Sequence, residues 1–247
     1  MKYAIIADIH ANLQALNAVL EDSKAQGCTH YACLGDIVGY GGKPKECLKI
    51  IRDMGMPCVK GNHDEYCSAE THMKGFTPHA AEGVAWTRKQ LSAEDRKWLR
   101  ELPLTLVVDG FSLVHATLDG PERWGYIHNR LDVEASFPHQ DTTVCFFGHT
   151  HMPMAFVRKP SLSGQSLVIH GNTFSKFQFN PAKKYMVNPG SIGQPRDRNP
   201  KAAYAAYDLE SQMIEVRRVD YDIGAAQRGN VDAGLSPRFS ERLEQGL

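Results

Sequence analysis

The chain has 247 residues, in which 28 Lys and Arg balance 28 Asp and Glu. That length supports a sizeable α/β core, and the even charge excludes a global field that would draw nucleic acid or an anionic membrane. No apolar run approaches the ~20 residues of a spanning helix.

Residues 2–7 read as a short strand and not as a signal peptide, because the carboxylate of Asp8 closes the apolar run. Leu13, Leu16, Val19 and Leu20 then recur at helical spacing, with Gly27 as a stop. A second strand is expected over 29–34, a second helix over 44–54 and a third strand over 56–59. This alternation predicts parallel βαβ units with right-handed crossovers.

The middle of the chain changes period. Pro78 starts a helix to about Gln90, and Ser92, with Asp95 three residues on, caps another that Pro103 terminates. Trp86, Trp98, Leu99 and Leu102 are read as the buried face of that helical hairpin. From Leu104 the pattern becomes β: residues 104–108, an Asp109-Gly110 turn and residues 111–115 make a hairpin. Further strands are expected over 143–147, 154–157, 166–170, 185–187, 203–208 and 213–219, with Ser161-Leu162-Ser163-Gly164 as a turn. Two sheets packed face to face with helices outside is the economical architecture. We expect one domain over residues 1–247, with a helical hairpin insertion at 78–102 and a polar tail from 224 to 247 that reads equally as a short helix or as disordered.

The six cysteines form no CxxC pair and are read as buried, reduced thiols, which with the lack of an export signal predicts a cytoplasmic protein.

The chemistry is concentrated in short fragments that directly follow expected strands: Asp8-Ile9-His10, Gly35-Asp36, Gly61-Asn62-His63-Asp64, His115, Gly148-His149-Thr150-His151 and Asn188-Pro189-Gly190-Ser191. Taken singly each is weak, since an isolated histidine after a strand is usually solvated. Asp8 and His10, two apart at a strand end, turn to the same side, and His149 and His151 repeat that spacing. Asp8, Asp36, Asn62 and four imidazoles together exceed the ligand need of one divalent ion. His30, His72, His128, His139 and His170 fall outside these fragments and are read as solvated.

In this order the fragments, with Gly35-Asp36-Ile37-Val38-Gly39-Tyr40-Gly41 in full, resemble the motif series of the calcineurin-like metallophosphoesterases over roughly residues 1–210. The stretch Asn188-Pro189-Gly190-Ser191-Ile192-Gly193-Gln194-Pro195-Arg196-Asp197 resembles a compact bacterial and archaeal branch grouped with diadenosine tetraphosphatases and related phosphatases. The resemblance implies a four-layer α/β/β/α sandwich of two mixed sheets with a dinuclear metal centre. One ion would take Asp8, His10 and His151, the second Asn62, His115 and His149, and Asp36 would bridge them. A bridging carboxylate offsets the repulsion of two dications ~3.5–4 Å apart, the spacing that clamps a phosphoryl group. Oxygen and imidazole donors without thiolate suit Mn²⁺, Fe²⁺, Co²⁺, Ni²⁺ or Zn²⁺.

The implied reaction is in-line attack on phosphorus by a metal-bridging hydroxide, with no protein nucleophile. His63 is the natural general acid for the leaving oxygen, and Asp64 either orients it or points elsewhere. The Ser/Thr protein phosphatases carry an Asp-Arg pair where this chain has Gly39 and Tyr40, which argues against that activity. Asn12 is read either as a contact to substrate phosphate or as a plain helix cap. Arg196 and Arg198 either meet a second phosphate or belong to a solvated loop, Asn62 lies at the substrate as well as the metal, and Asn188-Pro189-Gly190 shapes the pocket floor.

The expected function is a metal-dependent phosphohydrolase that cleaves phosphodiester, nucleotide polyphosphate or small phosphomonoester bonds. A nuclease is the second enzyme reading, disfavoured by the neutral charge and the lack of a basic, aromatic-interleaved stretch. A catalytically silent scaffold of the same fold is the third, disfavoured by the complete ligand set with His63.

Overall fold

A computed structural model describes residues 1–69, 77–158, 166–170 and 175–247, the backbone alone over 166–170. The expected turn at Ser161-Leu162-Ser163-Gly164 and the side chains of His72 and His170 lie outside the described residues.

The chain begins β1 (Lys2–Ile6), α1 (Leu13–Ala25), β2 (His30–Cys33), α2 (Pro44–Met54) and α3 (Asn62–Ser68). The helical hairpin follows as α4 (Pro78–Gln90) and α5 (Ala93–Glu101), then β3 (Thr105–Val108) and β4 (Phe111–Val114). Next come α6 (Arg130–Glu134), β5 (Val144–Phe146), β6 (Met154–Arg158), β7 (Ser166–His170), β8 (Lys176–Gln178) and β9 (Lys184–Asn188). The chain ends in β10 (Ala202–Asp208), β11 (Met213–Val219), α7 (Ile223–Asp232) and α8 (Pro237–Gln245).

Among the described residues the strands form two mixed sheets, ordered β2-β1-β10-β11-β8 and β3-β4-β5-β9-β6-β7. The period-2 alternation of each strand sorts its side chains between layers. On β1, Tyr3 and Ile5 enter the layer between the sheets, while Ala4 and Ile6 face α1 and α2. On β4 and β5, Phe111, Leu113, Val144 and Phe146 face the first sheet, and Val114 and Cys145 face outward with Val133 of α6. The inter-sheet layer is locked by Phe111, whose ring meets Tyr3, Phe146 and Tyr207 edge-on at 5.0, 5.7 and 5.3 Å. Burying a ring of that size contributes about 2–3 kcal/mol by area, and edge-to-face pairing adds to it. The α/β/β/α sandwich is thus as expected.

Three local expectations change. Residues 56–59 make only a single parallel bridge, Cys33 to Cys58, because Pro57 has no N–H to extend a ladder. The Gly61-Asn62-His63-Asp64 fragment, with no element expected there, opens the helix α3. In the helical hairpin Leu99 is buried with Trp98 and Leu102 packed beside it, but Trp86 is only half-buried. The tail folds as two helices, with Phe239 and Leu243 buried. All six cysteines are free and buried. Among the described residues no helix is long and apolar enough to cross a membrane.

Strands β1 and β2 are parallel, as are β4, β5 and β9. Their C-terminal ends are where an open α/β sheet presents its binding crevice, and each motif fragment before residue 152 lies just beyond such an end or at the start of α3.

Candidate metal centre

The ligand-type residues do not sit on strand pleats. β1 ends at Ile6, and Asp8 and His10 adopt left-handed backbone with φ of 52° and 47°. Asp36, His149 and His151 do the same at 52°, 68° and 60°. Left-handed turns, not the two-residue alternation that the spacing suggested, aim these side chains inward. Each such residue costs about 1–2 kcal/mol of backbone strain. Main-chain bonds hold the turns in place: Asp8 N–H donates to Gly35 O at 3.1 Å, His10 N–H to Asp36 O at 2.9 Å, and Gly148 N–H to His115 O at 2.8 Å. Ser191 Oγ donates to Asp8 O at 2.8 Å and Asn188 Nδ2 to Gly148 O at 2.7 Å, so the Asn188–Ser191 segment braces the floor from below.

Two groups of donor atoms result, each mutually within 4.8 Å: Asp8, His10, Asp36 and His151, then Asp36, His115 and His149. Asp36 belongs to both. Asn62 joins the second group, its Oδ1 3.2 Å from His115 Nε2.

The tautomers follow from the hydrogen bonds. His10 Nδ1 donates to Val38 O at 3.2 Å, His115 Nδ1 to Leu34 O at 2.7 Å and His151 Nδ1 to Gln194 O at 2.5 Å. His149 is reversed, with Nε2 donating to Trp124 O at 3.0 Å. A carbonyl only accepts, so the second nitrogen of each neutral ring carries a lone pair, and those nitrogens face inward. His10 Nε2 and His151 Nε2 stand 3.0 Å apart, His115 Nε2 and His149 Nδ1 3.2 Å apart. Facing lone pairs at that distance repel unless a cation lies among them.

Charge balance points the same way. Burial pushes the Asp8 carboxyl well above its usual range and the Asp36 and Asp64 carboxyls up to about 7. It pushes His10, His149 and His151 well down, and His115 down to about 4. Ionised carboxylates beside neutral imidazoles in a buried pocket are the state that a divalent cation favours. The orphaned atom fits too: Asp36 Oδ2 is buried without a hydrogen-bond partner, 3.6 Å from His10 Nε2 and 3.5 Å from His115 Nε2. The residues present suit two cations of the borderline type.

His63 is buried beside this cluster, its ring edge-on to His10 at 4.8 Å and 4.4 Å from Tyr40. Gly39 lies so close that a Cβ there would meet His63 Nδ1 at 2.4 Å, with φ at +90°. Gly61 leaves room for the carboxylate of Asp36, which a Cβ would meet at 2.1 Å.

Asp64, read either as orienting His63 or as pointing elsewhere, turns its carboxylate to backbone amides. Its carboxylate accepts from the amides of Asp36, Ile37 and Gly61 at 2.8, 2.9 and 3.0 Å. It clamps the loop after β2 to the start of α3, and through that loop positions Asp36. Asn12 is likewise structural: Oδ1 caps α1 at Ala15 N and Nδ2 donates to Gly193 O. Arg198 turns away to the tail, where its N–H donates to Gly246 O.

Arg196, by contrast, lines the open cleft of about 220 Å³ together with Asp36, Asn62, His63, His149 and His151. Its guanidinium lies 5.8 Å over the Tyr40 ring and donates to Gln194 Oε1 at 3.1 Å. The sequence reading missed two walls of this cleft. Tyr126 stacks on His149 at 4.0 Å, and its Gly-flanked aromatic segment after His115 was the available signal. Arg242 of α8 lines the same cleft; its i, i+4 spacing from Arg238 was the signal there.

The family model of the calcineurin-like phosphoesterase superfamily domain matches residues 1–212. An uncharacterized protein of Methanocaldococcus jannaschii is 40% identical over 247 residues, 98% of this chain and 97% of its own length. The crystal structure of a metallophosphoesterase from Sphaerobacter thermophilus superposes with a TM-score of 0.87 at 37% identity, covering all of both chains. That of a hypothetical protein from Pyrococcus horikoshii OT3 shares the fold, with a TM-score of 0.79 at 22% identity over 100% of this chain and 98% of its own. With its ordered motifs, its paired donor clusters and a family match over most of its length, this chain belongs to the calcineurin-like phosphoesterase superfamily.

Proposed function

We propose that the protein is a dinuclear metal-dependent phosphohydrolase acting on small phosphorylated substrates, with diesters and nucleotide polyphosphates before phosphomonoesters. One ion is held by Asp8, His10 and His151, the other by Asn62, His115 and His149, with Asp36 shared. The observation that carries this reading is the unpartnered Asp36 Oδ2, set almost equally from His10 Nε2 and His115 Nε2. The donor set favours Mn²⁺, Fe²⁺, Co²⁺, Ni²⁺ or Zn²⁺.

Two bound cations supply an ionised water near neutral pH and neutralise charge on the phosphoryl oxygens. The chain's own residues do the rest. His63, at the cleft wall, gives a proton to the leaving oxygen, the task that suits an imidazole within reach. Arg196, held against Tyr40, binds phosphate oxygens, and Asn62 lies between metal and substrate. Tyr126 holds the His149 ring in place from the open side. The neutral overall charge supports a small substrate over nucleic acid, and the buried free thiols support a reducing compartment such as the cytoplasm.

Elemental analysis of the purified protein, followed by a substrate panel with each metal added back, tests the reading. Two ions per chain and metal-dependent hydrolysis of bis-p-nitrophenyl phosphate are expected. A metal-free protein with no activity after any add-back would sink it.

A further inference from the structure

Two arginines line the cleft, and one of them comes from beyond the residues that the family model matches. The family match ends at residue 212, yet Arg242 on α8 lines the cleft together with Arg196. The helix is placed firmly. Asn230 Oδ1 of α7 accepts from Gly42 N–H at 2.9 Å. Phe239 of α8 packs on Tyr40 at 5.8 Å and sits against Gly83, where a Cβ would meet its ring at 3.2 Å. Gly246 O accepts from Arg198 N–H at 2.9 Å. The tail is therefore fixed to the loop after β2, to α4 and to the segment after β9.

Neither guanidinium has a side-chain carboxylate within ion-pair reach among the described residues. Arg196 donates to Tyr40 Oη and Gln194 Oε1, and its Nε is buried without a partner. Arg242 spends Nε on an oxygen of the last residue, Leu247, at 2.7 Å, which leaves its two terminal nitrogens for a ligand. Arg242 is partly desolvated, and the charges of Arg196 and Arg238 act on it unfavourably. Two like charges held together in a partly dry cleft are stabilised by an anion between them. Past Arg242 the cleft runs into a wider groove lined by Thr77, His79, Arg238, Phe239 and Glu241, which leaves space for a substrate longer than one phosphate.

We propose that Arg242 is a substrate-binding residue that grips a second phosphate, joined to the one attacked at the metal centre, so that the substrate is a phosphate chain such as a nucleoside polyphosphate. This rests on the phosphohydrolase reading above. Arg196 and Arg242 then hold neighbouring phosphates of the chain, while the groove beyond takes the remainder.

The test compares metal-loaded wild type, Arg242→Ala and Arg242→Lys on ATP and on bis-p-nitrophenyl phosphate, whose single phosphorus offers no second phosphate to hold. Arg242→Ala should lower kcat/KM for ATP by about tenfold or more, mainly through KM, and by about fivefold more than for the diester. Lysine should restore part of the loss. Equal losses on both substrates, or none on ATP, would overturn the assignment. If wild type turns over neither compound, the hydrolase reading fails by itself. Calorimetric titration of metal-loaded protein with α,β-methylene-ADP then decides the subsite: binding weakened about tenfold by Arg242→Ala supports it, and unchanged or undetectable binding overturns it.

Discussion

The main-chain N–H of His63 donates to Oδ1 of Asp36 at 2.8 Å, so one carboxylate joins the proposed general acid to the proposed metal bridge. Its two oxygens divide the work. Oδ1 fixes the first turn of α3, and Oδ2 is left for cations.

Asp36→Asn separates these tasks. The amide oxygen can still accept from His63 N–H, but the negative charge shared by two cations is gone. Turnover should be abolished and at least one ion lost, while the melting temperature in the metal-free state stays close to wild type. Elemental analysis with two tightly held ions and near wild-type rates would refute the bridging role.

His63→Ala should keep both metals, because His63 belongs to neither donor group among the described residues. kcat should fall by about 10²–10⁴, the range for losing a general acid. The loss should be smaller for a p-nitrophenyl ester, whose leaving group needs little protonation, than for an alkyl ester. Equal losses on the two would assign His63 another task.

Gly39→Ala tests the same histidine without removing it. The new methyl would fall 2.4 Å from His63 Nδ1 at a backbone φ of +90°. The ring must move, and the strained backbone should cost about 1–2 kcal/mol of stability. We expect both metals retained and kcat reduced with the same leaving-group bias as His63→Ala. A variant with wild-type kcat on alkyl esters would show that the ring has freedom that the packing denies.

The layers of this fold were legible because its strands alternate cleanly and its helices are signposted by Pro78, Ser92 and Pro103. The ligand set was legible as chemistry but not as geometry: nothing in the spacing of Asp8 and His10 reveals left-handed backbone. Asp64 and Asn12 stayed open between two readings for one reason. A polar side chain beside a functional residue has the same sequence signature whether it meets substrate or satisfies backbone N–H groups. Arg242 and Tyr126 carry only weak sequence signals, because their approach to the cleft depends on tertiary placement, of a tail helix and of the long connection between β4 and β5.

Substrate preference turns on Tyr40. Its ring packs against those of His10 and His63, at 4.6 and 4.4 Å, and the sequence resemblance aligns it with the arginine of the protein phosphatases' Asp-Arg pair. The guanidinium beside that ring comes instead from Arg196, 5.8 Å from its centroid, while Arg242 lines both this cleft and the adjoining groove. Positive charge is therefore spread along the cleft and not focused on one phosphate dianion. A diester carries less charge per phosphorus, and a dinucleoside polyphosphate distributes its recognition over several groups, so both suit this arrangement. We predict higher kcat/KM for bis-p-nitrophenyl phosphate or a dinucleoside polyphosphate than for phosphoserine or phosphothreonine peptides. Mn²⁺, Co²⁺ or Ni²⁺ should support that turnover better than Mg²⁺, since four inward-facing imidazoles suit the softer ions. A panel in which phosphopeptides win, or in which Mg²⁺ is the best activator, would show that neither the spread of charge nor the nitrogen-rich donor set governs this site.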